Sequence, residues 1–342
     1  MSDRNSQFLL VYDVGGSHVS AAVCASRSYA LTGLSRAPLP ADGDITPASF
    51  GRLIHTLGET AISNAHIPLA SVAGASLAMP GPFDYDRGIS QMQHKLPSLF
   101  GVDLKSALAH RFAWQPAQVR FVNDAAAFLL GEAGAGAAKG YPRSIGITLG
   151  TGIGCAFALS DASGNHIAPS QPGNTEGVPP GGEIWNLPYN GATVEDFVST
   201  RYLRHHYLAL SGLEAEVAEV AAIADCEDNQ PCRPLEQKLA EKLAKHVEAS
   251  NLAAVAAQAA GPARARKAFE DFGRHLGLAL NQHAQAFHPA VVVLGGGISR
   301  ASHLFLPATR RALAPGFAPT LAISALMDEA PLAGAGVHWF SN

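Results

Sequence analysis

The sequence predicts an α/β protein built from two domains. The chain has 342 residues, a length that accommodates two domains of ordinary size. The segments Phe8–Cys24 and Ser144–Leu159 also share one order of features: an apolar strand, a turn rich in glycine, and a second strand. A pattern that recurs in both halves of a chain indicates an internally duplicated architecture.

Helices and further strands are predicted after each of these two hairpins. Periodic apolar residues predict amphipathic helices at Thr46–His66 and Val102–Phe112. Short apolar runs predict buried strands at Val72–Met79 and Val119–Asn123. The second half is predicted to contain mostly helix from Thr193 to about Ala286, strands at Ala290–Leu294 and Leu321–Leu326, and a last helix around Gly334–Gly336.

Composition and charge restrict the class of protein. Hydrophobic residues make up 47% of the chain and charged residues 15%, which is typical of a folded protein with a sizeable core. The formal net charge is -4, and nucleic-acid binding calls for a concentrated basic face, so we expect no nucleic-acid partner. The sequence has no secretory signal and no apolar run of membrane-spanning length, so we expect a cytoplasmic protein without membrane contact.

The four cysteines are too few and too scattered for a secreted disulfide framework. Cys226 and Cys232 share a polar loop, where they could pair or hold a metal. Neither a CxxC motif nor a neighbouring histidine supports that alternative, so we favour free thiols.

Both predicted hairpins carry a turn suited to phosphate. Glycine has no Cβ, so the backbone N–H groups of such a turn can approach an anion closely. A purely structural turn is the alternative for each one taken alone. A Walker motif and a Rossmann fingerprint are absent, so the predicted nucleotide site is of another kind. The residues concerned are Gly15, Gly16 and Ser17 in the first turn and Gly150, Thr151 and Gly152 in the second.

Two aspartates stand at the ends of predicted strands. Asp13 is a candidate to orient hydrated Mg²⁺ against nucleotide phosphates, and capping of its own turn is the alternative. Asp124 follows Asn123 and opens a helix, so helix capping is one interpretation of it. The other is that Asp124 is the base that accepts the proton of a substrate hydroxyl during phosphoryl transfer.

Two glutamates and a run of glycines complete the candidate site. Glu183 and Glu195 flank an irregular segment, where carboxylates can accept hydrogen bonds from sugar hydroxyls. For Glu195, the alternative is a favourable acid in a first helical turn. Gly295, Gly296 and Gly297 follow a buried strand, at the strand end where open α/β folds bind ligands. We interpret them as the adenosine side of the nucleotide site, with a tight structural turn as the alternative.

Seven motifs in a fixed order resemble one known family. They are DVGGS (Asp13–Ser17), AMPGP (Ala78–Pro82), VNDAAAFLLGE (Val122–Glu132), ITLGTGIG (Ile147–Gly154), PGGEI (Pro180–Ile184), VEDFVS (Val194–Ser199) and VVVLGGGIS (Val291–Ser299). In this order they resemble the ROK family of sugar kinases and repressors, within the actin/hexokinase-like ATPase superfamily. The resemblance extends from Phe8 to about Val337, and no single motif would suffice for it.

The resemblance implies two ribonuclease-H-like α/β domains around a cleft that closes on ATP and a sugar. It implies a smaller domain at residues 1–122, joined by the C-terminal helix at about 328–342. The larger domain would then occupy residues 123–327. It also implies a homodimer.

The resemblance implies roles for single residues as well. Both glycine turns match the phosphate loops, and Gly295–Gly297 match the glycines on the adenosine side. Asn123 matches a residue that binds sugar hydroxyls, and Asp124 matches the base that takes the proton from the 6-hydroxyl. Glu183 and Glu195 match the two glutamates that hold the sugar ring.

The chain departs from the family pattern where the family reads GExGH. Here the sequence is Gly182-Glu183-Ile184-Trp185-Asn186, and the zinc motif expected downstream is missing. No cysteine lies between Cys155 and Cys226, so we predict no zinc. Asn186 is a candidate to replace the family's histidine at the sugar, and a different preferred sugar is the alternative. Because the first glycine turn begins at Asp13, we expect no N-terminal DNA-binding region.

The combined prediction is a kinase that uses ATP and Mg²⁺ to phosphorylate a primary hydroxyl of a hexose-type sugar. The alternative from another class is a catalytically inactive sugar sensor or regulator of the same fold, which the altered segment Glu183–Glu195 motivates. A chaperone-like or actin-like ATPase is disfavoured, because no segment resembles a peptide-binding domain. The choice of sugar depends on pocket geometry at one or two hydroxyls.

Overall fold

The computed structural model describes residues 7–40, 45–93, 96–160, 166–167, 175–210 and 263–341. The strands in these ranges are β1 (Phe8–Val14), β2 (His18–Ala25), β3 (Leu31–Pro38), β4 (Val72–Met79), β5 (Phe83–Asp84), β6 (Ile89–Ser90), β7 (Val119–Asn123), β8 (Arg143–Leu149), β9 (Ile153–Ser160), β10 (His166–Ile167), β11 (Pro188–Tyr189), β12 (Ala192–Thr193), β13 (Val291–Gly295) and β14 (Thr320–Ile323). The helices are α1 (Pro47–Ala65), α2 (Leu104–Arg111), α3 (Asp124–Ala135), α4 (Val194–Phe197), α5 (Thr200–Leu210), α6 (Ala263–His283), α7 (Ser302–Ala312) and α8 (Ala330–Ser341).

Two five-stranded sheets share one topology. The first has the order β3-β2-β1-β4-β7 and the second the order β10-β9-β8-β13-β14. In the first sheet β1, β2 and β3 form an antiparallel meander, while β4 and β7 run parallel to β1. The second sheet repeats these directions, with β8, β9 and β10 antiparallel and β13 and β14 parallel to β8. The duplication predicted from the two hairpins is therefore confirmed, together with the α/β fold class.

Each sheet buries one face against its own helices. Leu10 and Tyr12 of β1 are fully buried in a cluster with α1 residues such as Phe50. Ile145 of β8 lies in a separate cluster with α6 residues such as Phe272. The five strands of the first large sheet thus all precede Asp124 and those of the second all follow it, while β5-β6 and β11-β12 form separate two-stranded sheets. The domain boundary at 122/123 stays a prediction.

Helices α3 and α8 lie between the two sheets. Leu9 of β1 shares a buried cluster with Leu130 of α3 and Leu332 of α8. Phe128, also on α3, packs in another cluster with Val293 of the second sheet. The helix that begins at Asp124 therefore contacts both halves of the fold.

Helix α1 shows how local sequence sets an element's ends. Thr46 caps its N-terminus, where the backbone N–H of Ser49 donates to Thr46 Oγ1 at 3.1 Å. The hydroxyl of Ser49 accepts the Thr46 backbone N–H in return, at 2.8 Å. The helix ends at His66, whose left-handed backbone (φ 55°) stops the helical repeat. These ends agree with the predicted helix at Thr46–His66.

Strand β14 is shorter than the predicted strand Leu321–Leu326, because its continuation has other hydrogen-bond partners. The backbone N–H groups of Ala325 and Leu326 donate to the Glu132 carboxylate at 3.2 and 3.0 Å. These N–H groups are therefore not available to continue the sheet, and the chain proceeds to α8.

Much of the predicted helical region 193–286 lies outside the described residues, as do Cys226 and Cys232. Among the described residues, no helix is both long and apolar enough to cross a membrane.

Helices α3 and α8 meet backbone to backbone through two glycines. A Cβ on Gly334 would overlap the carbonyl oxygen of Ala127, and a Cβ on Gly131 would overlap the carbonyl oxygen of Ala330. Both obstacles are backbone atoms within helices, so no side-chain rotation can relieve the overlap.

We predict that Gly334→Ala lowers the free energy of unfolding by about 3 kcal/mol, because the added methyl must force two packed helices apart. Chemical denaturation of the ligand-free protein measures this. Gly16→Ala is the matched control, since a Cβ there meets no atom within 4 Å. A denaturation midpoint equal to that of the unsubstituted protein in Gly334→Ala would contradict the close contact.

Candidate active site

The first glycine turn joins β1 to β2 and begins after Val14, the residue that follows Asp13. The backbone N–H of Gly15 donates to the His18 carbonyl at 2.9 Å and closes the turn. Ser17 Oγ lies 3.3 Å from His18 Nδ1. Because nothing lies within 4 Å of a Cβ built on Gly16, the outer side of this turn is open to a ligand.

Asn123 and Asp124 stand where β7 passes into α3. Asn123 caps the helix, since its Oδ1 accepts the backbone N–H of Ala126 at 3.0 Å. Asp124 lies in the first helical turn, and its Oδ1 accepts the N–H of Ala125 at 2.9 Å. The capping role that the sequence left open for Asp124 is therefore filled by Asn123.

Strand register brings Asp13 and Asn123 to the same edge of the first sheet. Asp13 pairs with Ala78 of β4, and the next β4 residue, Met79, pairs with Asn123 of β7. Three parallel strands thus end side by side, at the edge where α/β folds bind ligands.

The carboxyl groups of Asp13 and Asp124 influence each other. The pKa of Asp13 is raised to about 7, first by burial and then by the negative charge of Asp124. Arg36 acts in the opposite direction, and Asp328 raises the pKa further. The end of β1 and the start of α3 therefore share one electrostatic site, where a cation would relieve the repulsion between the two carboxylates.

The second glycine turn is fixed by hydrogen bonds from Thr200 of α5 and by a hydrogen bond to Glu195. The backbone N–H and the hydroxyl of Thr200 both donate to the Gly150 carbonyl at 2.9 Å. Glu195 Oε2 accepts the N–H of Ile153 at 3.1 Å. A Cβ on Gly152 would overlap this carboxylate, so the glycine makes room for the glutamate. The Thr151 side chain forms no hydrogen bond to the residues that the structure describes.

The charge of Glu183 acts on residues of both halves of the molecule, Tyr85 in the first and Cys155 in the second. This charge raises the pKa of Tyr85, after the larger effect of burial. The indole N–H of Trp185 donates to Glu183 Oε2. Trp185 itself is 40% exposed, and Asn186 beside it is exposed as well and forms no hydrogen bond to the described residues.

The segment that carries both glutamates is anchored to α6. Tyr189 Oη lies 2.9 Å from His275 Nδ1, and both side chains are buried. Gln282 Nε2 donates to the Pro188 carbonyl at 3.1 Å. The backbone N–H of Glu195 donates to the Trp185 carbonyl at 3.0 Å. These bonds connect the Pro- and Gly-rich segment to α6 and connect its two glutamate-bearing parts to each other.

The three glycines at the end of β13, Gly295, Gly296 and Gly297, differ in their surroundings. A Cβ on Gly295 would overlap the ring of Phe128, and one on Gly296 (φ 79°) would overlap the backbone of Leu149. Gly297 has open space at the same position. Close packing thus explains the first two glycines, and Gly297 leaves room for a ligand.

Sequence reasoning missed three residues of this region. Tyr85 accepts a hydrogen bond from Asn123 Nδ2 at 3.1 Å. Trp185 contacts Glu183, and the fully buried Glu132 accepts four hydrogen bonds that fix the C-terminal end of α3. Glu132 could have been noticed as an acid in the apolar part of α3, well beyond the first turn that holds Asp124. Tyr85 follows a Pro-rich turn without any periodic signal.

Metal ligands form no cluster of three in the part of the chain that the structure describes. Cys24 and Cys155 are buried and free. Cys226 and Cys232 fall outside the described residues, and the lack of a zinc site stays a prediction.

Comparison with known proteins agrees with this architecture. The chain matches the model of the ROK family over residues 11–337. It is 26% identical over 339 residues to a glucokinase of Thermotoga maritima, with 96% of this chain and 95% of that protein covered.

Solved structures show the same fold. A ROK family glucokinase from Streptomyces griseus, in complex with glucose and AMPPNP, is similar with a TM-score of 0.68 at 19% identity, over 96% of this chain and 98% of that one. A ROK family transcriptional regulator, a homologue of the E. coli MLC protein, gives a TM-score of 0.70 at 18% identity, over 98% of this chain and 79% of that one. Because the family model spans nearly the whole sequence, the chain belongs to the ROK family.

Proposed function

We propose that this protein is an ATP-dependent kinase that phosphorylates a hexose-type sugar at a primary hydroxyl. The observation that carries the proposal is the shared electrostatic site of Asp13 and Asp124. Phosphoryl transfer to an alcohol requires a cation-bound phosphate site next to a base, and these two carboxylates supply the two parts. The similarity to a glucokinase over almost the full length of both chains supports this assignment.

In this proposal Asp124 is the catalytic base. Its carboxylate accepts the proton of the sugar hydroxyl while the hydroxyl oxygen bonds to the transferred phosphorus and the bond to the nucleotide's leaving oxygen breaks. The bond from Ala125 N–H to Asp124 Oδ1 holds the carboxylate in one orientation. Such fixation lowers the entropic cost of reaching the reactive geometry.

The sugar lies between the two halves of the molecule in this proposal. Asn123 donates to a sugar hydroxyl from the first half, and Glu183 and Glu195 accept hydrogen bonds from the second. Asn186 occupies the place of the family's histidine. Since Glu195 also contacts the second glycine turn through Ile153, the sugar and phosphate subsites share a residue.

The nucleotide is held by backbone groups. The N–H groups of Gly15, Gly16, Ser17, Gly150, Thr151 and Gly152 are proposed to contact phosphate oxygens, with Gly295, Gly296 and Gly297 on the adenosine side. Mg²⁺, when bound with the nucleotide, supplies neutralisation of phosphate charge. Asp13 is the residue proposed to orient its water ligands. A cytoplasmic homodimer without a nucleic-acid partner completes the proposal.

A sugar-binding regulator without activity is the second candidate. The indole N–H of Trp185 already occupies one oxygen of Glu183, which in the kinase binds the sugar. The fold similarity to a ROK family transcriptional regulator is consistent with such a role.

We predict that a coupled assay of ADP release across a panel of aldohexoses, ketohexoses and N-acetylhexosamines will show turnover with at least one sugar. These sugars all carry a primary hydroxyl but differ in the pattern of their other hydroxyl groups, so the panel tests which pattern the pocket accepts. ADP release without any sugar serves as the blank. Silence with every sugar, together with measurable sugar binding, would favour the regulator.

We predict that Asp124→Asn lowers kcat by about 10²- to 10⁴-fold, because the amide cannot accept the proton. Calorimetry should show a sugar Kd close to that of the unsubstituted protein. Asp103→Asn is the matched control, since Asp103 is also an acid at a helix N-terminus, where its Oδ1 accepts Ser106 N–H at 2.9 Å. Full turnover in Asp124→Asn would refute the assigned role.

The raised pKa of Asp13 predicts a pH-dependent stability difference. Ionisation of a carboxyl whose pKa is higher in the folded than in the unfolded protein costs stability as pH rises from about 4 to about 7. Asp13→Asn removes that cost. In the absence of nucleotide and Mg²⁺, the Tm of Asp13→Asn minus that of the unsubstituted protein should increase between pH 5 and pH 8. A difference that is constant across this range would contradict the burial and repulsion inferred for Asp13.

A further inference from the structure

We propose that Tyr85 is a positioning residue for sugar recognition: its hydroxyl fixes the side-chain amide of Asn123 so that Asn123 presents a hydrogen-bond donor to the substrate. This inference rests on the proposed function and adds a residue to it. Tyr85 follows β5 and belongs to none of the glycine turns or acidic segments already described.

Two hydrogen bonds in series fix the direction of donation. Tyr85 Oη donates to the carbonyl of Met79 at 3.2 Å. Having given its only hydrogen to that carbonyl, the hydroxyl can act only as an acceptor toward Asn123, whose Nδ2 lies 3.1 Å away.

The other end of the same amide is fixed by the helix. Asn123 Oδ1 accepts the backbone N–H of Ala126 at 3.0 Å as the N-cap of α3. A flipped amide would place its NH₂ group against that N–H and its oxygen against an oxygen with no hydrogen to give. Both contacts would be repulsive, so Tyr85 and the helix cap together permit one orientation.

The fixed orientation leaves one amide hydrogen for a ligand. Of the two hydrogens on Asn123 Nδ2, one is donated to Tyr85, and the second has no acceptor among the described residues. The substrate oxygen at this place must therefore accept a hydrogen bond, while the neighbouring carboxylate of Asp124 requires a hydroxyl that donates one. Asn123 therefore selects a sugar oxygen that accepts a hydrogen bond, and Asp124 selects an adjacent hydroxyl that donates one.

Packing and charge place Tyr85 near residues of the candidate sugar site. Its ring packs on Phe83 with centroids 5.2 Å apart, and Phe83 packs in turn on Phe121 of β7 at 5.0 Å. Burial is the main reason why the pKa of the Tyr85 hydroxyl is raised, and the charges of Asp124 and Glu183 add to it. The hydroxyl thus keeps its proton at every physiological pH and lies near carboxylates from both halves of the molecule.

The test is Tyr85→Phe, which removes one oxygen and retains the ring. We expect the KM for the sugar to rise about 10-fold, the effect of losing one well-oriented hydrogen bond. We expect kcat and the KM for ATP to change less than about 2-fold. Tyr141→Phe is the matched control, because Tyr141 is also half-buried and its hydroxyl forms no hydrogen bond to the described residues.

A double-mutant cycle separates positioning from direct contact. Asn123→Ser removes the amide and keeps a side chain that caps helices well. If Tyr85 acts through Asn123, Tyr85→Phe should add less than about 2-fold to the sugar KM in the Asn123→Ser background. A further 10-fold rise there would overturn the positioning role.

The outcomes also separate this inference from the proposed function. An unchanged sugar KM in Tyr85→Phe, with an active unsubstituted protein, overturns the role of Tyr85 and leaves the kinase assignment intact. An unsubstituted protein that binds and phosphorylates no sugar overturns both.

Discussion

Helix α3 touches α8 backbone to backbone, and the positions of Asn123 and Asp124 depend on that contact. Gly131 and Gly334 permit the approach, since a methyl on either would overlap a carbonyl of the other helix. The fully buried Glu132 secures the far end of α3, and a buried carboxylate is tolerated only with such a set of donors. The donors are Ser324 Oγ at 2.5 Å and the backbone N–H groups of Ala137, Ala325 and Leu326.

The duplicated topology explains why one helix can serve two subsites. Because α3 packs on both sheets, its first turn lies next to the end of β1 and also near the start of β9, where a Cβ on Gly154 would lie 3.3 Å from Ala125 Cβ. The first sheet thereby contributes Asp13 and the second contributes the turn that Glu195 supports. A site assembled this way depends on the relative placement of the two sheets.

Much of this arrangement could be predicted from the sequence because its signals are local. The hairpins, α1 and the strand ending at Asn123 each have an apolar period and a recognisable capping or turn residue. The interactions that complete the site are not local: Tyr85 meets Asn123, and Glu132 meets residues nearly two hundred positions later. For the glycines Gly295–Gly297, the sequence predicts a ligand contact with a tight structural turn as the alternative. Two of them pack closely against Phe128 and Leu149, and the ligand contact stays a prediction. Periodicity carries no information about such pairs, because they join residues that are distant in sequence and meet only when the chain has folded.

The proposed chemistry requires that the carboxylate at the start of α3 face the reacting hydroxyl of a bound hexose. The most direct measurement is a crystal structure of the complex with a non-hydrolysable ATP analogue and a hexose that the protein phosphorylates. We expect an Asp124 carboxylate oxygen within about 3.2 Å of the primary hydroxyl, with the terminal phosphate on the far side of that hydroxyl. A hexose whose primary hydroxyl is directed away from Asp124, or bound outside the region between Asn123 and Glu183, would contradict it.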